Sequence, residues 1–291
     1  MLRAFEWVLA LHFVYLSVLA LVLPLRAPVP LVALSLNAAV LGGGALVAWA
    51  DSFRRGLLLG VVRDWYPFPL LLLTYREMGW FARPHLSQDL ENAWVAWDRA
   101  LLAGGLRAAV ESLGPVIPAI LEISYMLVYA LGPFAMAVLF LYRRRDRADV
   151  FLFLFVTGTL LSYGQFPFWP SEPPRTVFPG QDFPAYTSPF RHFNWWYLSS
   201  QGIHTSVFPS AHVSGAFSAA FGMLRALPEH PWVGRALLVA AVLIATATVY
   251  GRYHYFADAA AGLAMALAAL GISVMCSRVA RSTAAREKTS G

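Results

Sequence analysis

The chain predicts an all-α, polytopic membrane helix bundle of about eight transmembrane helices, and three observations carry that prediction. Of its 291 residues 58% are hydrophobic and 13% are charged, about half the charged share of an average soluble domain. Apolar runs of the ~20 residues needed to cross a bilayer core recur from one end of the chain to the other. The basic residues are distributed unevenly among the connections between those runs, which is the signal that orients a membrane protein.

The runs fall at roughly 5–25, 30–50, 57–79, 116–142, 149–166, 210–227, 234–251 and 254–277. The first opens on Met1-Leu2-Arg3, like a signal peptide, but its apolar length suits a full span and no small-residue cleavage site precedes the next run, so it reads as a retained helix. The third is interrupted by Arg63 and Asp64, which must lie at the interface or pair with other groups. The fourth contains Glu122; an interhelical hydrogen bond is the expected use of such a group, ahead of headgroup binding.

One set of connections, with both termini, holds 13 basic residues in short segments, including the Arg143–Arg147 run, and the other set holds seven, five of them in two long loops. The positive-inside rule then puts both termini in the cytoplasm. Loops 80–115 and 167–209 and the turn at Arg252 come outside. In loop 80–115, Leu90, Trp94, Trp97, Leu101 and Leu102 share a side at helical spacing, with Asp89, Asp98 and Arg99 as polar neighbours; this predicts a helix lying on the outer surface. Loop 167–209 carries eight prolines and several aromatics. It cannot form one long helix and should fold as a cap. The net charge of +6 belongs to this topology, so no nucleic-acid partner is expected. Cys276 is the sole cysteine, which leaves no disulfide within the chain.

Ionisable residues at a membrane boundary are costly and are functional candidates by default. They concentrate at 250–258, Tyr-Gly-Arg-Tyr-His-Tyr-Phe-Ala-Asp. His254 and Asp258 are spaced i,i+4, so a helix puts them on one face, continued by Gly262 as a close-packing position. A carboxylate there accepts from one ring nitrogen and raises the basicity of the other. Pro209-Ser210-Ala211-His212 heads the preceding outer segment. Proline suits a helix start, and the free N–H groups after Ser210 make an anion site. Arg175 and Arg252 can add bidentate contacts to phosphate oxygens. The topology brings His212, His254 and the Arg175 segment to the same face.

These motifs resemble the type-2 phosphatidic acid phosphatase (lipid phosphate phosphatase) and vanadium haloperoxidase superfamily, and within it the inositol phosphorylceramide synthase-like branch. Pro209–His212 is similar to its Pro-Ser-Gly-His element, His254–Asp258 to its His-x3-Asp element, and Pro173-Pro174-Arg175 to its first arginine motif. The resemblance implies a six-helix catalytic core in 53–280, an added N-terminal helix pair in 1–52 and a cytoplasmic tail in 281–291. It implies an inner (plasma) membrane enzyme acting on a lipid phosphate, diphosphate or phospholipid headgroup, without cofactor or metal. His254 would be the nucleophile, oriented by Asp258, and His212 the general acid; Arg175, Ser210 and Arg252 would hold the phosphate. Water or an alcohol such as inositol would accept the group. The chain departs from the family pattern in having no lysine other than Lys288, Thr248 in place of an arginine six residues before His254, and Ala211 in place of glycine.

Two other classes compete. His212, His254 and Asp258 also match a two-His-one-carboxylate metal site, and a transporter would place ionisable residues at mid-membrane depth. No His-Glu-x-x-His occurs, which disfavours an intramembrane metalloprotease. His12, His85, His192, His204 and His230 are read as packed side chains. The oligomeric state is open.

Overall fold

A computed structural model describes the chain except Met1, Arg55, residues 83–86, His204, Ser206 and Gly291; His85 and His204 thus lie outside the described residues. The helices are α1 (Ala4–Val22), α2 (Val29–Arg54), α3 (Leu57–Trp65), α4 (Pro67–Met78), α5 (Asp89–Leu101), α6 (Arg107–Glu111), α7 (Val116–Leu141), α8 (Ala148–Tyr163), α9 (Pro174–Val177), α10 (Pro189–Gln201), α11 (Ala211–Ala226), α12 (Pro231–Tyr250) and α13 (Phe256–Ser290). No strand occurs among the described residues. Seven segments of the described residues are long and apolar enough to cross a membrane, with α3 and α4 together forming one of them, so the chain is a multi-pass membrane bundle.

The eighth expected span, 210–227, corresponds to α11, whose 16 residues reach only about 24 Å, too short to be counted with the seven. It is nonetheless the centre of the bundle, packed against α8, α12 and α13. Small residues permit that packing. A side chain at Gly158 of α8 would collide with Ser218 of α11, and one at Gly262 of α13 would collide with the Ser210 carbonyl. Gly262 therefore does what its spacing from Asp258 predicts.

Charges in the third span resolve as pairs. Arg63 and Asp64 are both buried. Arg63 bonds Glu6 at 2.5 Å and Asp51 at 2.6 Å, while Asp64 accepts from Arg3 at 2.6 Å and Arg145 at 2.5 Å. This network at one end of the bundle ties α1 and α2 to the core, where α1 also packs along α8.

The opposite end is capped by α5, α9 and α10. Here one expectation is corrected. The α5 helix turns Glu91, Trp94, Val95 and Asp98 inward and leaves Trp97 exposed. Trp94 stacks on Phe208 at 5.0 Å and leans on Tyr255 at 5.6 Å. The carboxylates face inward because they have partners across the molecule, so α5 is an integral cap and not a helix resting on the surface. Glu122 behaves as predicted for an interhelical group: it is buried and takes bonds from Arg191 at 2.8 Å and Asn194 at 2.7 Å on α10.

Candidate active site

The turn between α12 and α13 presents His254. The α12 helix ends at Tyr250, and the N–H groups of Tyr253 and His254 both return to the Thr248 carbonyl at 2.9 Å. Arg252 has φ +65°, a left-handed conformation that costs a non-glycine residue about 1 kcal/mol or more. The α13 helix starts at Phe256, and its third residue, Asp258, reaches back to the Tyr255 N–H at 3.0 Å, one half of a capping box. The same Oδ2 faces His254 Nδ1 at 3.2 Å. One carboxylate thus fixes both the helix start and the histidine ring.

Burial first, and the Arg175 charge second, pull the His254 imidazole down from its ordinary value to about 3, against a small opposing push from the Val207 carbonyl. The ring is therefore neutral near pH 7. With Nδ1–H donating to Asp258, Nε2 carries a lone pair.

Ser210 caps α11, its Oγ accepting from Val213 N–H at 3.4 Å, and its own N–H donates to the Asp258 carbonyl at 2.9 Å. That bond ties the two histidine-bearing segments together. His212 follows in the first turn, and its ring lies 5.5 Å from that of His254. Arg175, on α9, donates from its backbone N–H to the Arg252 carbonyl at 3.3 Å and from Nη1 to the Tyr253 carbonyl at 3.1 Å.

His212, His254 and Arg175 line one cavity of about 390 Å³. Its walls are mostly apolar and run down between α4, α7 and α8, past Phe68, Val128, Pro133 and Phe155. The structure brings three of the sequence-predicted residues to this cavity, with Asp258 directly behind His254. Ser210 is fully buried, with its hydroxyl facing the α11 backbone. Arg252 is also fully buried and is not in the cavity wall. Its Nη1 meets Asp98 Oδ2 at 2.5 Å, and Asp98 Oδ1 accepts the Phe256 N–H at 2.7 Å.

Several site residues were not singled out from sequence. Tyr125 stacks on His212 at 4.9 Å and on Tyr253 at 4.1 Å, and Tyr129 Oη lies 3.3 Å from His212 Nε2. The i,i+4 spacing of Tyr125 and Tyr129 inside an apolar span was the available signal. For Asp98 it was the i,i+3,i+4,i+7 pattern of Glu91, Trp94, Val95 and Asp98, which puts two acids on an apolar face. Among the described residues no three His, Cys, Asp or Glu side chains converge as a metal-ligand set.

Comparison with known proteins bears on this geometry. The sequence model of the PAP2 superfamily matches residues 94–272, from α5 to the body of α13. A PA-phosphatase related-family protein of Dictyostelium discoideum is 39% identical over 69 residues, which is 24% of this chain and 11% of the relative's length. The chain thus matches only about a tenth of that relative. No solved structure matches.

Proposed function

Since the chain belongs to the PAP2 superfamily, we propose that it removes or transfers a phosphoryl-containing group on a membrane lipid through a phosphohistidine intermediate. Phosphatase-type chemistry on lipid phosphates is the general activity that membership carries. The observation that supports the finer reading is the grouping of His254, Asp258, His212 and Arg175 about one apolar cavity.

In this reading His254 Nε2 attacks phosphorus. The Asp258 carboxylate holds the Nδ1 proton and stabilises the positive ring as the bond forms. His212 supplies the proton that the leaving oxygen needs. Arg175 and the α11 N-terminus headed by Ser210 hold the phosphoryl oxygens as charge builds. Water, or an alcohol such as inositol, then takes the group from His254. Arg252, which sequence alone sets among the phosphate ligands, is assigned to mounting the His254 turn, because Asp98 holds it from behind. The apolar walls fit a lipid chain, and the phosphate would sit at the cavity's outer end.

We place the enzyme in the plasma (inner) membrane with both termini cytoplasmic and the site on the extracytoplasmic face. What supports this orientation is the Arg143–Arg147 run, whose Arg145 joins the paired network of Arg3 and Asp64, at the end of the bundle away from His254; the membrane itself is proposed from the resemblance.

The test is headgroup or phosphate release from a lipid panel by His254→Ala and His212→Ala. Each is expected to lose activity, and full activity in either rules out its assigned role. Product analysis with and without an alcohol acceptor separates hydrolysis from transfer.

A further inference from the structure

The His212 ring is framed by two tyrosines of α7. Tyr125 lies flat against it with an interplanar angle of 16°, and Tyr129 stands edge-on at 81° with its hydroxyl 3.3 Å from Nε2. The frame is itself braced. Tyr125 stacks on Tyr253, and the Tyr253 hydroxyl donates to Glu122 Oε2 at 2.5 Å. Tyr129 also makes an edge contact with Tyr197 at 5.2 Å. The ring is thus held on one face by stacking, and its Nε2 is met by a hydroxyl on the cavity wall.

Tyr129 occupies a boundary. It lines the cavity that holds both histidines, and it also lines an apolar groove on the outside of α7 with Met126, Leu127, Ala130 and Phe190. An oxygen that exchanges a proton near Nε2 therefore lies toward the lipid-facing side, where the alcohol of a lipid ester would be.

We propose that Tyr129 is a catalytic residue that relays the proton between His212 and the lipid alcohol, which rests on the reading of His212 as the acid of the site. As the phosphorus–oxygen bond breaks, its electron pair stays on the alcohol oxygen. The Tyr129 hydroxyl donates its proton to that oxygen and takes one from His212 Nε2, which acquires that proton from solvent when the anionic phosphate binds beside it. The phenol is regenerated, His212 ends neutral, and the lipid leaves as a neutral alcohol. A phenol suits this step because its oxygen both donates and accepts.

The experiment compares two substrates on one preparation: a lipid phosphate whose leaving group is an alkyl alcohol, and a p-nitrophenyl phosphate ester, whose leaving phenolate needs little help from an acid. Tyr129→Phe keeps the ring and its packing. It is expected to lower the ratio of lipid to nitrophenyl kcat by about tenfold or more. A fraction of misfolded protein cancels from that ratio. An unchanged ratio overturns the relay. Failure of the wild-type protein to turn over either ester overturns the underlying hydrolase reading instead.

Discussion

His254 carries a pH consequence that follows from its surroundings. Its pKa in the folded protein lies near 3, lowered by burial and by Arg175, against about 6.5 in an unfolded chain. Above pH 6.5 both forms are neutral and the residue adds nothing to the pH dependence of stability. As pH falls below 6.5 the unfolded chain binds a proton that the folded site excludes, so folding is progressively weakened. By pH 5 this amounts to about 2 kcal/mol. Thermal unfolding in detergent should therefore show His254→Asn losing less stability than wild type between pH 7 and pH 5. Equal losses would mean that His254 protonates readily in the folded site. Arg175 is the complementary residue. Its guanidinium is the charged group that the cavity shares with the two histidines. Arg175→Lys retains the charge but loses the planar fork, and it should lower kcat for a lipid phosphate more than it raises KM.

At the scale of elements, α5 and the α12–α13 turn form one unit. Asp98 grips the chain on both sides of His254, through the Arg252 side chain and the Phe256 N–H, and the Arg252 and Asp98 side chains are both fully buried. Removing one member of a buried ion pair leaves an uncompensated charge, at a cost of about 3–5 kcal/mol, whereas removing both is often close to neutral. Asp98→Asn should thus lower the melting temperature and the activity together, and Asp98→Asn combined with Arg252→Gln should restore most of each. An inactive but stable double variant would return Arg252 to the phosphate-binding groups. The same interaction shows why the sequence pattern of α5 suggests a surface helix. Charges are assigned to the wet side of a helix because burying them is costly, and the partner that cancels the cost stands 154 residues away.

Across the whole molecule, the bundle has a polar network at one end and the histidine site at the other. Orientation follows if the positive-inside signal holds. In a Cys276→Ser background, a cysteine at Gln181 in the outer cap should react with an impermeant maleimide on intact cells, and one at Asp146 should react only after permeabilisation. The reverse pattern would invert the topology. Seven of the eight apolar spans and the His254–Asp258 pair were legible because both rest on local periodicity, a 20-residue apolar run or an i,i+4 step. The Ser210 cap was legible for the same reason. What sequence did not reveal rests on contacts between distant segments. Tyr125 and Tyr129 read as ordinary aromatic filler of an apolar span until α11 brings His212 between them, and Arg252 reads as a free cation until α5 supplies Asp98.

The most direct test of the site is chemical trapping. Wild-type protein quenched during turnover of a phosphate-labelled lipid should carry label that survives alkali and is lost in acid, as a phosphorus–nitrogen bond requires, and His254→Ala should carry none. Label retained in His254→Ala, or full turnover by that variant, would contradict the assignment of His254 as the nucleophile.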